Sequence, residues 1–384
     1  MGIEHGSRRR IAAANRLYDG VMFDGATDRH LQKPIVKAEV SQMGAEIRIT
    51  GELDSIYPEL ESLLRKRDFT RAATLAQRCL DLAETTGERD PSDVAQHLHK
   101  VADLCSVHRM YAQAEPLYRR ALTIRESLGP ETTAVGATLS ALGTMYQGRG
   151  QFAQAEELHR RVIAIFSKTL GPNHPSTAAS LFNIANLYQA QARYSEAEPL
   201  YKDALTIAEK AFGPDNPNLS NFLTNLASMY RKQGRNAEAE NLYTRDLEIW
   251  QKARGPENPY MATSLNHLGA LQLAQGHNDI AESLFKRALA IRVKFQGAEH
   301  PGVAMCLSNL GVLYEGHGRL GEAKSSYTRA LAIAEKVLGP NHAEVAVILS
   351  GLASVSRKNG DVESTIFLER RVAAIRAAQS QTAE

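Results

Sequence analysis

A repeat of fixed length restricts the fold of this chain more than any other feature. One glycine recurs at a constant interval, and we call each of its occurrences a marker glycine. The segments between the marker glycines carry apolar residues at i, i+3, i+4 and i+7, the spacing of a helix buried along one face. Two such segments fill each interval, which predicts a helical hairpin. Hairpins in series form a solenoid in which each buries its apolar face against the next. The glycines recur every 42 residues, at Gly87, Gly129, Gly171, Gly213, Gly255, Gly297 and Gly339.

Small residues occupy one position on each predicted first helix and one on each second helix. Small side chains let helix backbones approach closely, and we expect aromatic residues such as Tyr201 and Phe285 to fill the remaining space. The last hairpin departs from this pattern at Ser356, Thr365 and Glu369, which predicts the polar outer face of a terminal cap. The first-helix column is Ala102, Gly143, Ala185, Ala227, Gly269, Gly311 and Ala353. The second-helix column is Ala114, Ala155, Ala197, Ala239, Ala281 and Ala323.

The residues that separate the hairpins predict where helices begin and end. The marker glycine follows the second helix, where a left-handed C-cap is favoured. A proline shortly afterwards suits the first position of the next helix, and the residue before it is the expected N-cap. A capping role explains the histidines in this set better than a catalytic one. The expected caps are His174, Asn216, Asn258 and His300.

These residues resemble the tetratricopeptide repeat in the order Leu-Gly/Ala-x-x-Tyr, Ala, Tyr/Phe, Ala. The longer period and linkers such as Leu170–Pro175 are similar to the kinesin light chain variety, as is Asn-Leu/Ile-Ala at Asn183–Ala185. The resemblance implies an all-α, right-handed superhelical solenoid that binds other proteins. Residues 1–52 lack the heptads by which kinesin light chains bind their heavy chain, so we expect a stand-alone relative. The departures from the pattern are Gln272, Asp246 and Cys105.

The repeat predicts four regions along the 384 residues. Residues 1–52 form an N-terminal extension outside the repeat, with strand-like alternation at Ala45–Thr50. Residues 53–86 form a degenerate capping repeat. Residues 87–380 form seven tetratricopeptide repeats, and 381–384 a polar tail.

Composition excludes several classes of partner. The net charge is +2, so neither nucleic acid nor an anionic membrane surface is indicated. The sequence has no apolar run of membrane-spanning length and no secretory signal pattern. The three cysteines lack paired spacing and read as reduced thiols, so we expect a cytoplasmic protein.

Polar residues on the first helices, opposite the buried stripe, mark a candidate peptide-binding groove. Asparagine can both donate to and accept from the backbone of an extended peptide, and nearby basic residues would favour acidic side chains. Asn183 and Asn225 occupy the same position in adjacent repeats, so one peptide could contact both. The alternative is that these side chains bond to neighbouring helices or water. The predicted binding residues are Asn183, Asn186, Asn221, Asn225, Arg231, Lys232, Asn266, His267 and Asn309.

No metal, cofactor or catalytic site is predicted. His97 and Cys105 would lie about 12 Å apart on one helix, too far to share a zinc ion. The sequence contains no phosphate-binding glycine loop, nucleophile elbow or metalloprotease helix.

The sequence therefore predicts a scaffold or adaptor that binds an extended, acidic peptide segment of another protein. Two alternatives stay open: a non-catalytic regulatory subunit that wraps a globular partner, and a secreted effector. Peptide capture would depend on groove residues, and wrapping on the outer face or residues 1–52.

Overall fold

The computed structural model describes residues 47–85 and 90–381. These residues form sixteen α-helices and one short 3-10 helix, Pro217–Leu219, and no strand. The first eight helices are α1 (Ile47–Arg65), α2 (Phe69–Thr85), α3 (Pro91–Val107), α4 (Tyr111–Leu128), α5 (Thr133–Gly148), α6 (Phe152–Thr169), α7 (Pro175–Ala190) and α8 (Tyr194–Phe212). The others are α9 (Ser220–Lys232), α10 (Asn236–Arg254), α11 (Met261–Gln275), α12 (Asn278–Gln296), α13 (Pro301–Gly316), α14 (Leu320–Leu338), α15 (Ala343–Lys358) and α16 (Val362–Gln381).

Consecutive helices pack in pairs, among them α1 with α2, α3 with α4, α13 with α14 and α15 with α16. The pair of α7 and α8 is joined by the hydrogen bond from the Tyr201 hydroxyl to Asn186. The predicted fold class, an all-α solenoid of helical hairpins, is confirmed. The described residues divide into two compact units, an N-terminal one that ends at Ala211 and a C-terminal one that begins at Phe212. Each unit contains four hairpins. Of the predicted N-terminal extension, residues 1–46 lie outside the described part of the chain.

The strand-like alternation predicted at Ala45–Thr50 is wrong from Ile47 onward, because helix α1 begins there. Alternation over so few residues does not distinguish a strand from the start of a helix. The helical periodicity becomes clear only later in α1. Ile56, Leu60 and Leu64, spaced four apart, are its buried residues.

Two of the four predicted N-caps, His174 and His300, are confirmed as the caps of α7 and α13. The His174 Nδ1 accepts a hydrogen bond from the backbone N–H of Ser176 at 3.1 Å, and the His300 Nδ1 accepts from Gly302 at 3.0 Å. These two imidazoles carry no proton on Nδ1, since that atom accepts.

Asn216 accepts in the same way at 2.9 Å, but it caps the 3-10 helix Pro217–Leu219 rather than α9. Asn258 accepts from the backbone N–H of Tyr260 at 2.9 Å, although α11 begins only at Met261 with Tyr260 as its N-cap.

Four marker glycines, Gly129, Gly255, Gly297 and Gly339, are the C-caps of second helices, but not in the left-handed helical conformation that the sequence predicted. At Gly255 φ is 82° and ψ is 175°, a conformation with positive φ and extended ψ that glycine alone adopts readily. At Gly129 φ is 168°, so its backbone is simply extended. The chain therefore leaves each of these two helices extended rather than in a further turn.

The predicted packing of small residues against aromatic rings is also confirmed. A Cβ added at Gly269 would lie 2.8 Å from Phe285 Cε1, and one at Gly311 would lie 2.7 Å from Tyr327 Cε1. In the hairpin of α5 and α6 the ring position belongs to His159, which is fully buried. Burial lowers the pKa of His159 to about 4, so this imidazole is neutral at physiological pH.

Successive hairpins are also joined by glutamates at hydrogen-bonded junctions that the sequence did not reveal. Glu156 accepts hydrogen bonds at 2.9 Å from Arg160, Tyr188 and Arg193. Burial alone would raise the pKa of this carboxyl, but its three hydrogen bonds outweigh burial and lower it. The arrangement recurs around Glu115 and Glu282.

The predicted polar cap at the last hairpin is wrong for two of its three residues. Ser356 and Thr365 are buried, whereas Glu369 is exposed and forms an ion pair with Arg357. The exposed side of α16 instead carries large apolar residues, among them Phe367.

Candidate peptide-binding surface

The first helices of successive hairpins form one layer within each unit. In the C-terminal unit α9, α11, α13 and α15 contact one another in sequence, and in the N-terminal unit α1, α3, α5 and α7 do so. We call the solvent-facing side of this layer the first-helix face. The residues predicted to bind peptide all lie on first helices, so their surroundings can be compared.

In the N-terminal unit both predicted asparagines are half-buried and hydrogen-bonded. Asn183 on α7 donates through Nδ2 to the Ser140 hydroxyl on α5 at 3.2 Å. Asn186 accepts at 2.5 Å from the Tyr201 hydroxyl, which also lies 2.8 Å from Gln189 Oε1. These amides therefore bond to neighbouring helices, as the alternative interpretation of the sequence anticipated.

In the C-terminal unit the asparagines of α9 are more accessible. Asn221 is exposed. Asn225 is half-buried and donates through Nδ2 to the Asn221 backbone oxygen at 2.9 Å, a bond within its own helix. Both side chains lie four residues apart on one side of α9, where a peptide backbone could reach them.

Basic residues lie on the first-helix face near the C-terminal end of α9. Arg231 and Lys232, half-buried, end α9. His267 on α11 has its Nδ1 buried without a hydrogen-bond partner in the described structure. Its pKa is lowered to about 3, first by burial and then by repulsion from Arg231 and Arg292. Two guanidinium groups therefore lie near a histidine that is itself neutral.

Two further predicted residues are not on the solvent-facing side. Asn266 and Asn309 are buried, and Asn309 Nδ2 donates to Asn266 Oδ1 at 2.9 Å. The bond joins α11 to α13, so these amides hold two first helices together. The prediction that Asn266 and Asn309 lie on the accessible peptide-binding surface is therefore wrong.

Arg292 on α12 is a further basic residue near His267, and the sequence analysis did not predict it. Its side chain is buried, with Nη2 donating to the Thr263 hydroxyl at 3.1 Å and Nη1 to Gln296 at 3.2 Å. A Cβ at Gly302 would lie 2.1 Å from Nη1, so a larger residue there would displace the guanidinium from this position. That glycine near the start of α13 is the sequence signal that accompanies the arginine.

Asp246 on α10 is a second polar group buried beside α11. It lacks any solvent exposure and accepts a hydrogen bond from the Ser264 hydroxyl. Burial raises its pKa to about 6, while hydrogen bonds from Ser264 and Ser220 partly offset this. The carboxyl stands where α12 and α14 carry the alanines Ala288 and Ala330, so it is a local departure rather than part of the repeat.

Within residues 47–85 and 90–381, no group of three or more His, Cys, Asp or Glu residues could hold a metal ion. No helix of that part of the chain is both long and apolar enough to cross a membrane.

The family model described as the tetratricopeptide repeat matches residues 134–210, 184–245, 218–294 and 278–336. These overlapping matches cover more than half of the chain. No curated protein matches the sequence.

Several solved structures are similar. The apo form of the quorum sensor NprR from B. thuringiensis is 13% identical over 98% of this chain and 99% of its own, with a TM-score of 0.61, which shows a shared fold. BtubC from P. vanneervenii is 25% identical over 60% of this chain and 91% of its own, with a TM-score of 0.49. Kinesin light chain-like repeats from Podosopora anserina are 30% identical over 52% and 95%, with a TM-score of 0.45. The resemblance drawn from the sequence is confirmed.

Proposed function

This chain belongs to the tetratricopeptide repeat family, and on that premise we propose that it is a scaffold or adaptor that binds an extended, acidic segment of another protein. The fold itself fits a protein-interaction scaffold. The proposed binding surface is the first-helix face of the C-terminal unit, around α9 and α11. It consists of Asn221, Asn225, Arg231, Lys232 and His267.

The two arginines beside His267 are the observation that carries the proposal. Burial is the larger cause of the lowered pKa of this imidazole, but Arg231 and Arg292 lower it further, so both guanidinium groups lie near it. A carboxylate placed here would be attracted by the half-buried guanidinium of Arg231, and the neutral imidazole could accept or donate a hydrogen bond. A peptide with acidic side chains therefore fits this part of the face better than a neutral or basic one.

The asparagines of α9 would fix the backbone of such a peptide. Asn221 is exposed, and the Asn225 carbonyl oxygen is an acceptor that its bond through Nδ2 leaves available for a second donor. Each hydrogen bond contributes about 0.5–1.5 kcal/mol net, so affinity requires several together with the charges. The face would thus bind with salt-dependent affinity, since its ion pairs are partly exposed.

The N-terminal unit offers a smaller version of the same surface at Asn183 and Asn186. Both amides already bond to other side chains, to Ser140 and Tyr201 respectively. A peptide would have to exchange or share those bonds, so we assign this unit the secondary role. Asn266 and Asn309, which bond to each other, are left out of the proposed surface.

We place the protein in the cytoplasm within this proposal. Cys79, Cys105 and Cys306 are all free and buried. Burial, with a smaller effect of Cys79, raises the pKa of Cys105 to about 12, so this thiol is unreactive. Reduced, buried cysteines suit a reducing compartment.

Selection from a displayed library of random peptides on the full-length protein tests the proposal. We expect the enriched peptides to carry acidic residues. Fluorescence anisotropy with one enriched peptide should then show that Lys232→Glu weakens binding about tenfold or more, which corresponds to about 1.4 kcal/mol. Asn225→Ala should weaken it less, by about two- to tenfold, because one hydrogen bond is lost.

Lys324→Glu is the matched control, because it makes the same charge change on the exposed side of the second helix α14. It should leave the affinity unchanged. Enriched peptides without acidic residues would contradict the proposal. So would equal losses from Lys324→Glu and Lys232→Glu, a result that favours a partner wrapped by the second-helix side.

A further inference from the structure

An apolar patch lies on the exposed side of the last helix, α16. Val362, Ile366 and Phe367 are 67%, 45% and 66% exposed. Val362 and Phe367 are the two most exposed large apolar side chains in the described part of the chain. Three such residues within two turns of one helix form a concentrated patch rather than scattered surface residues.

The patch is not the face on which a further hairpin would stack. One repeat earlier, on α14, the positions of Ile366 and Phe367 hold Lys324 and Ser325, and both are exposed although α15 follows α14. The position of Val362 holds Leu320, which is half-buried. This side of the second helices is therefore an outer surface in an inner hairpin too. At the positions of Ile366 and Phe367 this side is polar in α14 and apolar in α16, so that difference belongs to α16 itself.

Two opposite charges lie on either side of the patch. Glu363 and Arg370 are exposed, and neither has an ion-pair partner within residues 90–381. Glu363, Phe367 and Arg370 are spaced i, i+4 and i+7 and so share one stripe of the helix. The midpoint between the two charges falls between Ile366 and Phe367.

This arrangement is self-complementary. When two copies of α16 lie antiparallel about an axis between residues 366 and 367, Glu363 of each copy faces Arg370 of the other. Ile366 of each copy then faces Phe367 of the other. A two-fold interface has this property, because the same patch serves both partners. We propose that the protein associates with a second copy of itself through antiparallel pairing of α16.

The interface between two copies of α16 would be small, and its size and residues determine the expected affinity of the dimer. Beyond Arg370 the exposed stripe continues through Ala373 and Ala374, whose small side chains let the helix axes approach. A single pair of helices falls near or below the low end of specific interfaces, about 1,200 Å². The dimer is therefore reversible and depends on protein concentration.

Sedimentation velocity of the full chain over a concentration series tests the pairing. We expect a monomer–dimer equilibrium for the wild type. Ile366→Lys combined with Phe367→Ser places the α14 residues at the same positions of α16, so the fold should persist, as circular dichroism would show. This variant should remain monomeric. A wild type that is monomeric at every concentration, or a variant that still dimerises, overturns the proposal.

Charge reversal tests the antiparallel register separately. Glu363→Arg alone and Arg370→Glu alone should each weaken dimerisation about tenfold or more, since like charges then face each other across the axis. An equimolar mixture of these two variants should associate again, because each copy supplies the charge that the other lacks. A mixture that stays monomeric overturns the proposed pairing.

Discussion

Ala192 shows at the scale of one residue how a repeat tolerates a local departure. The turn between the two helices of a hairpin contains one residue with positive φ. Glycine supplies this residue in most hairpins, but α7 and α8 are joined through Ala192, with φ of 57°. A side chain is disfavoured in this conformation by about 1–2 kcal/mol. The glycines at the equivalent turns are Gly150, Gly234, Gly276, Gly318 and Gly360.

Exchanging residues between two of these turns gives a prediction with its own control. Ala192→Gly should raise the free energy of unfolding by about 1 kcal/mol, reduced somewhat by the greater freedom of glycine in the unfolded chain. Gly234→Ala should lower it, and for backbone reasons alone, because an added Cβ would meet no atom within 4 Å. Urea unfolding measures both. A loss of stability from Ala192→Gly would contradict the account.

Asp246 gives a pH dependence of unusual sign. Its folded-state pKa, about 6, lies above the ordinary value of 3.8. The folded protein therefore holds this proton at pH values where the unfolded chain has released it. Its contribution to stability is largest below pH 3.8 and is lost as pH rises through 6.

Asp246→Asn removes this dependence while it keeps an oxygen that can accept from Ser264. We expect the variant to be more stable than the wild type, and its advantage at pH 8 to exceed that at pH 5 by roughly 1 kcal/mol. Urea unfolding at the two pH values measures the difference. An advantage that is equal at both, or larger at pH 5, would show that the carboxyl is ionised when the protein is folded at pH 5.

At the scale of the helix, the sequence predicted those features that depend only on a residue's position within the repeat, namely the helix caps and the packing of small residues against rings. The caps His174 and His300 follow from a polar residue before a proline, a local signal. The contacts of Gly269 with Phe285 and Gly311 with Tyr327 follow from columns of fixed spacing. Period and residue size suffice for both, because every hairpin meets its neighbour in the same way.

The sequence did not predict the hydrogen bonds between particular side chains of neighbouring helices. Asn309 and Asn183 each bond to a residue 43 positions earlier, Asn266 and Ser140. A polar residue on a first helix looks the same in sequence whether it faces water or a partner on the next helix. Burial costs little once its hydrogen bonds are made, so polarity alone does not report exposure.

The junction glutamates and the last helix show the same limit in different ways. In the sequence Glu156 looks like an exposed charge near the start of a helix, yet it bonds to Tyr188 and Arg193 of the next hairpin. Ser356 and Thr365 read as polar surface, yet both are buried, while the apolar Val362 and Phe367 are exposed. The helical pattern predicts on which side of its helix a residue lies. Whether that residue is exposed or buried depends on the neighbouring helices.

At the scale of the whole molecule, the described residues contain two units of four hairpins each. The repeat is the same in both, but the polar departures Asp246, His267 and Arg292 all lie in the C-terminal unit. In that unit accessible asparagines and clustered positive charge occur together on one first-helix face. The proposed binding role therefore belongs to this unit first, and the N-terminal unit has the subsidiary surface at Asn183 and Asn186.

Hydrogen–deuterium exchange with and without an acidic peptide selected from the library tests the central claim most directly. A peptide on the first-helix face should slow exchange in α9 and α11 and leave the second helices α10 and α12 unchanged. That pattern is the predicted result. Slower exchange confined to α10 and α12, or to the N-terminal unit, would contradict the account.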